Sequence, residues 1–229
     1  MKFGIVVFPG SNCDHDCHYA LKNVLGQDVV YLWHKSLDLE SCDCIILPGG
    51  FSYGDYLRAG AIAAKSNIMS SVKKFANSGG LVMGICNGFQ ILQECGLLPG
   101  TLIKNDNLKF VCKNIHLRIE NSSSPFSSSC KEKEILRMPI AHACGSFYIN
   151  HRDVKDLEDN GQVLLRYSSE SGNVTNSTNP NGSVSSIAGV VNKEGNICGM
   201  MPHPERCCEK SFCGEDGRKI FDSIIKGSR

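Results

Sequence analysis

Neither sign of charge dominates this sequence: 24 Lys and Arg stand against 23 Asp and Glu, a net charge of +1 with a pI of about 7.5. Binding to nucleic acid or an anionic membrane through bulk electrostatics calls for a basic excess, so neither is an expected partner. Long apolar runs are also missing. No stretch approaches the roughly 20 residues of a transmembrane helix, and the apolar stretch 3–8 stops at Pro9-Gly10, too short for the core of a secretory signal. There is no internal repeat, and no G-x-x-x-x-G-K-[ST] loop of the kind that cradles nucleotide phosphates. Cysteine is the opposite case. The 13 cysteines are odd in number and scattered through the expected strands and helices, not spaced as a disulfide framework, which fits reduced thiols and a cytoplasmic location. With 229 residues, 41% hydrophobic and 21% charged, the chain is expected to form one domain over residues 1–229.

The most informative stretch is 81–90. Residues 81–85 read as a buried strand, and a helical run follows from Phe89 to Glu94 with no loop residues between. Cys86 therefore falls on the turn, flanked by Gly84 and Gly88. A G-x-C-x-G run is the cysteine form of the strained strand-to-helix elbow that presents a nucleophile. The flanking glycines let strand and helix backbones approach without a Cβ between them. The helix N-terminus points its partial positive charge at the sulfur and favours thiolate. Gln90, one helical turn on, can face the same pocket. The alternative is an inert cysteine in an α/β core.

Around this stretch the chain alternates. Strands are expected at 2–8, 28–33, 44–47 and 81–85. A helix capped by Ser11 or Asn12 runs to about Gly26, and 57–76 is helical, in one or two pieces. Short-spaced alternation implies a parallel sheet with right-handed crossovers, whose ligands bind at strand C-terminal ends. Pro48-Gly49-Gly50 and Cys86 both lie at such ends. Beyond residue 100, strands are expected at 108–120 and 134–142, a polar loop at 121–129, and a long mobile Ser/Asn/Gly-rich loop at 168–186. A hairpin joins 187–191 to 197–201 through 192–196, and a helix closes the chain at 215–226.

Pro202-His203-Pro204-Glu205-Arg206 supplies a second group. Pro204 extends His203, and residues two apart in extended chain share a side, so the Glu205 carboxylate is expected against the His203 ring. A carboxylate on one ring nitrogen fixes the tautomer and leaves the other free as a base. Cys86, His203 and Glu205 then make a nucleophile, its base and the base's orienter. Taken singly, a His-Pro-Glu run is a weak signal, since most histidines merely cap or pack; joined with the elbow it is much more specific. The backbone N–H groups of Gly50 and of Asn87, which follows the nucleophile, could form an oxyanion hole. A tight turn needing positive φ explains Gly49-Gly50 equally well.

Gly84-Ile85-Cys86-Asn87-Gly88-Phe89-Gln90 together with Pro202-His203-Pro204-Glu205-Arg206 resembles the class I glutamine amidotransferases. Phe8-Pro9-Gly10-Ser11-Asn12-Cys13-Asp14, the run 48–62 beginning Pro48-Gly49-Gly50-Phe51-Ser52-Tyr53-Gly54-Asp55, and Pro139-Ile140-Ala141-His142 narrow this to the branch of glutaminase subunits of phosphoribosylformylglycinamidine synthase. The resemblance spans residues 3 to about 225. It implies a flavodoxin-like α/β fold, a central mostly parallel sheet flanked by helices, with β-hairpins added in the second half. It implies hydrolysis of glutamine to glutamate and ammonia through a Cys86 thioester, with Gln90 and Phe51 helping to hold the substrate. No cofactor or metal is expected in this chain. ATP and Mg are expected on a partner synthetase subunit, which with a small third subunit would convert formylglycinamide ribonucleotide in purine synthesis. One departure is Ala143-Cys144-Gly145, where the family usually has Gly-Glu-Gly.

Two other functions keep a place: a cysteine peptidase or related hydrolase on the same fold, and a noncatalytic binding subunit. Glutamate release from glutamine separates them. Cys13-Asp14-His15-Asp16-Cys17-His18 has the composition of a metal cluster but opens a helix and reads as ordinary helix residues, and Cys207, Cys208 and Cys213 read as unligated thiols. His142 is either a pocket residue or a packed one. Tyr53, Asp55 and Arg58 are expected on an exposed cleft loop, facing a partner.

Overall fold

The computed structural model describes residues 1–227. Its strands are β1 (Lys2–Val7), β2 (Asp28–Trp33), β3 (Cys44–Leu47), β4 (Leu81–Ile85), β5 (Thr101–Ile103), β6 (Val111–Ile119), β7 (Ile135–His142), β8 (Ser146–Tyr148), β9 (Val163–Ser168), β10 (Ile187–Val191) and β11 (Ile197–Met200). The helices are α1 (Asp14–His18, continued by a wider turn over Tyr19–Val24), α2 (Asn67–Asn77), α3 (Asn87–Glu94), α4 (His151–Asp159) and α5 (Arg218–Gly227).

Nine strands form one sheet in the order β2-β1-β3-β4-β11-β10-β9-β6-β7, and β5 pairs with β8 in a small ribbon. From β2 to β11 every pairing is parallel; from β11 to β7 every pairing is antiparallel. The expected hairpins therefore extend the parallel sheet itself. β3, β9 and β10 are buried along their whole length, as befits strands covered on both faces; β3 and β10 are apolar throughout, and β9 opens on an apolar run, Val163 to Leu165. α2 turns Ile68, Met69, Val72 and Ala76 inward, a stripe at helical spacing. Fully buried Phe89 on α3 lies 6.2 Å from the Phe147 ring, tying α3 to the ribbon. Burial of each such ring contributes about 1.5–3 kcal/mol.

Several expectations are corrected. Residues 57–62 are not helical: Gly60 has φ +81 because its backbone is pressed on α3, where a Cβ would sit 2.8 Å from Ile91 N. The helical pieces are a short turn, Ala63–Lys65, and α2, separated by the extended residue Ser66. Neither Ser11 nor Asn12 caps α1; Cys13 occupies that position, and the Ser11 hydroxyl is spent on Phe8 N–H and C=O. The 168–186 loop packs down rather than hanging free, held by fully buried Asn181, which donates to Gly145 O and Tyr167 OH (2.7 and 3.2 Å). β5, β8, α4 and β9 had no counterpart in the sequence reading. No described helix is long and apolar enough to cross a membrane.

Candidate active site

β4 runs directly into α3, and Cys86 at the junction has φ 50 and ψ −103, a conformation L-residues rarely adopt. The strain is held by close packing. A Cβ on Gly88 would lie 1.9 Å from Leu47 O, so only glycine lets α3 start this near β3. The Cys86 N–H donates to Met200 O across 2.8 Å, fixing the elbow to the end of β11. β11 is the neighbour of β4 in the sheet, and the chain leaving it carries His203.

His203 has φ −103 and ψ 89, and its N–H donates to Pro139 O of β7 at 2.9 Å. Its Nδ1 lies 2.6 Å from Glu205 Oε1, with the two side chains 2% and 0% exposed. The expected pairing is present, but for a different reason. Glu205 lies in a tight turn, Pro204–Arg206, that folds it back under the ring, rather than in continued extended chain. Burial pulls the His203 ring toward neutrality. The Glu205 carboxylate, with Cys86 and Cys13, outweighs this and holds its pKa well above the usual histidine value.

Cys86 and His203 open on a cavity of about 200 Å3 lined also by Asn12, Cys13, Gly50, Phe51, Phe110, Ala141 and Arg206. The Cys86 sulfur lies 3.8 Å from Ala141 O. Gly50 has φ +133, and a Cβ there would meet Asn12 N at 2.6 Å, so the residue suits both the turn and the cavity wall. Its N–H has no bonded acceptor among the described residues. Asn87 N–H, in the first turn of α3, has no acceptor one turn back in its helix. A larger cavity, about 500 Å3, lies beyond Glu205 and is lined by Asp16, Tyr19, Arg206 and Phe212. It includes neither thiol beside the histidine.

Phe51 stands half-exposed at the rim, 6.5 Å from the Phe110 ring. Gln90 is not in the cavity wall. Its Nε2 donates to Cys144 O (2.7 Å), and its Oε1 accepts from Asn87 Nδ2 (2.8 Å). Tyr53 and Asp55 turn inward: the Tyr53 hydroxyl meets His34 Nδ1 at 2.7 Å, and Asp55 Oδ1 lies 3.2 Å from Asn87 Nδ2. Arg58 is exposed but held by Glu94 through two bonds, 2.6 and 2.5 Å. The faces turned to solvent are Tyr56 and Leu57 instead. His142 is buried, with Nδ1 3.1 Å from Asn105 Oδ1. Where the family usually has a carboxylate, Ala143 and Cys144 contribute backbone carbonyls, which any residue supplies.

The 13–18 run does not converge. His18 stacks on Tyr31, His15 Nδ1 lies 3.1 Å from its hydroxyl, and Cys17 is in the core. Cys207 and Cys208 are buried free thiols, and burial pushes Cys208 up to about 12. Sequence reasoning missed Phe110 and the place of Cys13 beside His203. Cys13 stood inside a run already singled out, but its contact is with a residue far along the chain, and no local pattern reports it.

Residues 1–215 match the CobB/CobQ-like glutamine amidotransferase domain. A protein of Moorella thermoacetica named phosphoribosylformylglycinamidine synthase subunit PurQ is 56% identical over 225 residues, covering 98% of this chain and 95% of that one. A protein of the same name from Salinibacter ruber is 54% identical over 224 residues, with the same shares covered. A chain in the structure of PurLQS from Thermotoga maritima superposes with a TM-score of 0.88 at 44% identity, covering 100% of this chain and 99% of that one.

Proposed function

The chain belongs to the CobB/CobQ-like glutamine amidotransferase family, and we propose that it is the glutaminase subunit of a phosphoribosylformylglycinamidine synthase. It hydrolyses glutamine and passes ammonia to a synthetase subunit, with which a small third subunit assembles. The identities of 56% and 54% over nearly the full chain support this, as does the likeness to a chain of PurLQS. ATP and Mg belong to the synthetase subunit, where formylglycinamide ribonucleotide becomes formylglycinamidine ribonucleotide. The cytoplasm, where free thiols persist, is the compartment in which it works.

One observation carries the mechanism: the strained Cys86 and His203 follow adjacent parallel strands and share one cavity, with Glu205 behind the ring on its Nδ1. His203 favours its protonated form, and the attacking form of Cys86 is the thiolate. The sulfur attacks the glutamine side-chain carbonyl, and the C=O electron pair moves to oxygen. Gly50 and Asn87 N–H groups take that oxyanion; a single such donor is worth about 10²–10³ in rate. As the oxyanion collapses, the C–N bond breaks, His203 gives its proton to nitrogen and ammonia leaves a γ-glutamyl thioester. Neutral His203 then takes a proton from water, whose oxygen attacks the thioester. Glutamate departs and the thiolate–imidazolium pair returns. Glu205 holds Nδ1 throughout and stabilises the imidazolium. Phe51 lies along the bound substrate, and Gln90 stands behind the wall, its Oε1 accepting from Asn87 Nδ2.

The test is Cys86→Ala in the assembled enzyme. Glutamine-dependent synthesis is abolished while ammonium salts still support it, because the nucleophile serves only ammonia release. Equal loss with both nitrogen sources in an intact complex overturns the assignment.

A further inference from the structure

Cys13 has no part in that reaction, yet it is built into the site. It is 3% exposed, its N–H donates to Gly49 O at 3.3 Å, and its sulfur accepts from Arg206 Nη2 at 3.2 Å. A Cβ placed on Gly49 would lie 3.2 Å from that sulfur and 2.7 Å from His203 Cε1, so thiol and ring close on the same glycine. One potential ligand atom each from Cys13, His203 and Glu205 lies within 4.8 Å of the others. An independent feature points the same way. His203 Nε2 and Glu205 Oε2 are both buried with no hydrogen-bond partner. In the neutral ring Nε2 offers a lone pair, and buried lone pairs without a donor are costly; a cation that displaces the His203 proton satisfies them as a hydrogen bond would.

Sulfur, imidazole nitrogen and carboxylate oxygen together are a donor set for zinc; magnesium and calcium take oxygen ligands. We propose that Cys13, His203 and Glu205 form an inhibitory site for a thiophilic divalent cation, Zn2+ above all, with Cys86 or a water as fourth ligand. Zinc–ligand bonds of about 2.0–2.3 Å put tetrahedral neighbours about 3.5 Å apart. The trio therefore rearranges on binding: the 2.6 Å bond between His203 Nδ1 and Glu205 Oε1 gives way as both turn to the metal. The Arg206 guanidinium must release the Cys13 sulfur, and it keeps its second partner, Asp16 Oδ2, at 3.1 Å. Entry is through the substrate cavity, which Cys13, Cys86 and His203 all line. A metal here takes the lone pairs on which proton transfer depends, so bound cation and turnover exclude each other. That consequence rests on the proposed function; the binding does not.

The experiment titrates the full-length chain with Co2+ and reads the thiolate-to-metal charge-transfer absorption, then displaces Co2+ with Zn2+. Other cysteines could contribute, so the comparison is made in Cys86→Ala. That variant keeps the band at one equivalent, and adding Cys13→Ser weakens binding at least tenfold and removes the band. Arg206→Gln acts in the opposite direction and tightens binding several-fold, because it frees the sulfur. Circular dichroism verifies the fold of each variant, and Cys13→Ala provides a second test should Cys13→Ser not fold. A band that survives loss of both Cys13 and Cys86 assigns the metal to other thiols and overturns the site. Binding as described in a chain that never releases glutamate from glutamine, alone or with a synthetase subunit, sinks the functional reading and leaves the site standing.

Discussion

The backbone N–H of Ser52 donates to Oδ1 of Asn87 across 3.1 Å, joining the turn after β3 to the first residue after the nucleophile. The same side chain reaches Gln90 Oε1 and Asp55 Oδ1 through Nδ2. One buried amide thus sets the spacing between the two proposed oxyanion donors, the N–H of Gly50 and that of Asn87 itself. Asn87→Ala keeps the second donor but releases the turn that bears the first. Glutamine-dependent kcat is expected to fall about 10²-fold, the scale of a displacement near 1 Å. Orphaning Ser52 N–H costs about 1–3 kcal/mol of stability. Unchanged kcat in the assembled enzyme would show that the turn is held without Asn87.

Glu205→Gln preserves shape and removes the charge that stabilises imidazolium, and its amide presents a donor where the ring needs an acceptor. Turnover is expected to drop by orders of magnitude. A rate near that of the unaltered chain would make Glu205 a spectator.

Much of the site was legible because its parts are local. The elbow is written in Gly84, Cys86 and Gly88, and the His203–Glu205 pair in five consecutive residues. What was not legible depends on contacts between distant segments. Gly60 breaks the expected helix because α3 lies against it, and Tyr53 turns inward because His34 and Ser66 offer its hydroxyl partners. α4 had usable signals that went unread: Asn150 at its start, Val154 and Leu157 on one face, and Gly161 at φ +63 after its end. β9 follows at once, its Val-Leu-Leu run buried on both faces. Of the antiparallel pairings in the large sheet, the β10–β11 hairpin was legible and the other three were not, since nothing local says that β9 lies between β10 and β6.

His142 gives a pH-dependent prediction. Asn105 Nδ2 donates to the carbonyls of Lys109 and His142 (2.8 and 2.9 Å), so its Oδ1 accepts the proton carried by His142 Nδ1. Burial, then the neighbouring His203, lowers the His142 pKa to about 4. Unfolded, it titrates near 6.5. Between those values the unfolded chain binds more protons, so the contribution is present above pH 6.5 and is lost as pH falls. From pH 7 to 5 the loss amounts to about 2 kcal/mol. Urea unfolding of the natural chain and of His142→Gln at both pH values checks this; parallel pH dependence in the two would remove His142 as the cause.

The isolated chain is expected to be a poor glutaminase that its synthetase subunit switches on. Free hydrolysis would release ammonia into water, where protonation spoils it as a nucleophile. Tyr56 and Leu57 project from the segment that follows Gly50, Leu57 at 94% exposure, so a docked partner can set the conformation of the oxyanion turn. Adding synthetase subunit with its nucleotide should raise the rate of thioester formation. A chain that alone matches the assembled rate rules gating out and leaves the glutaminase chemistry untouched.

β11 enters the sheet between β4 and β10, although it is the last strand in the chain. A growing polypeptide that has emerged only as far as the end of β9 carries its cysteine on a strand with one side unpaired and has no histidine beside it. The sheet can close only when residues 197–200 have been made, through pairing of β11 with β4, which is of long sequence separation and forms slowly. Translation therefore delivers no working nucleophile before the whole domain exists. A ribosome stalled short of β11 exposes β4 and β10 as edges for chaperones or proteases to recognise.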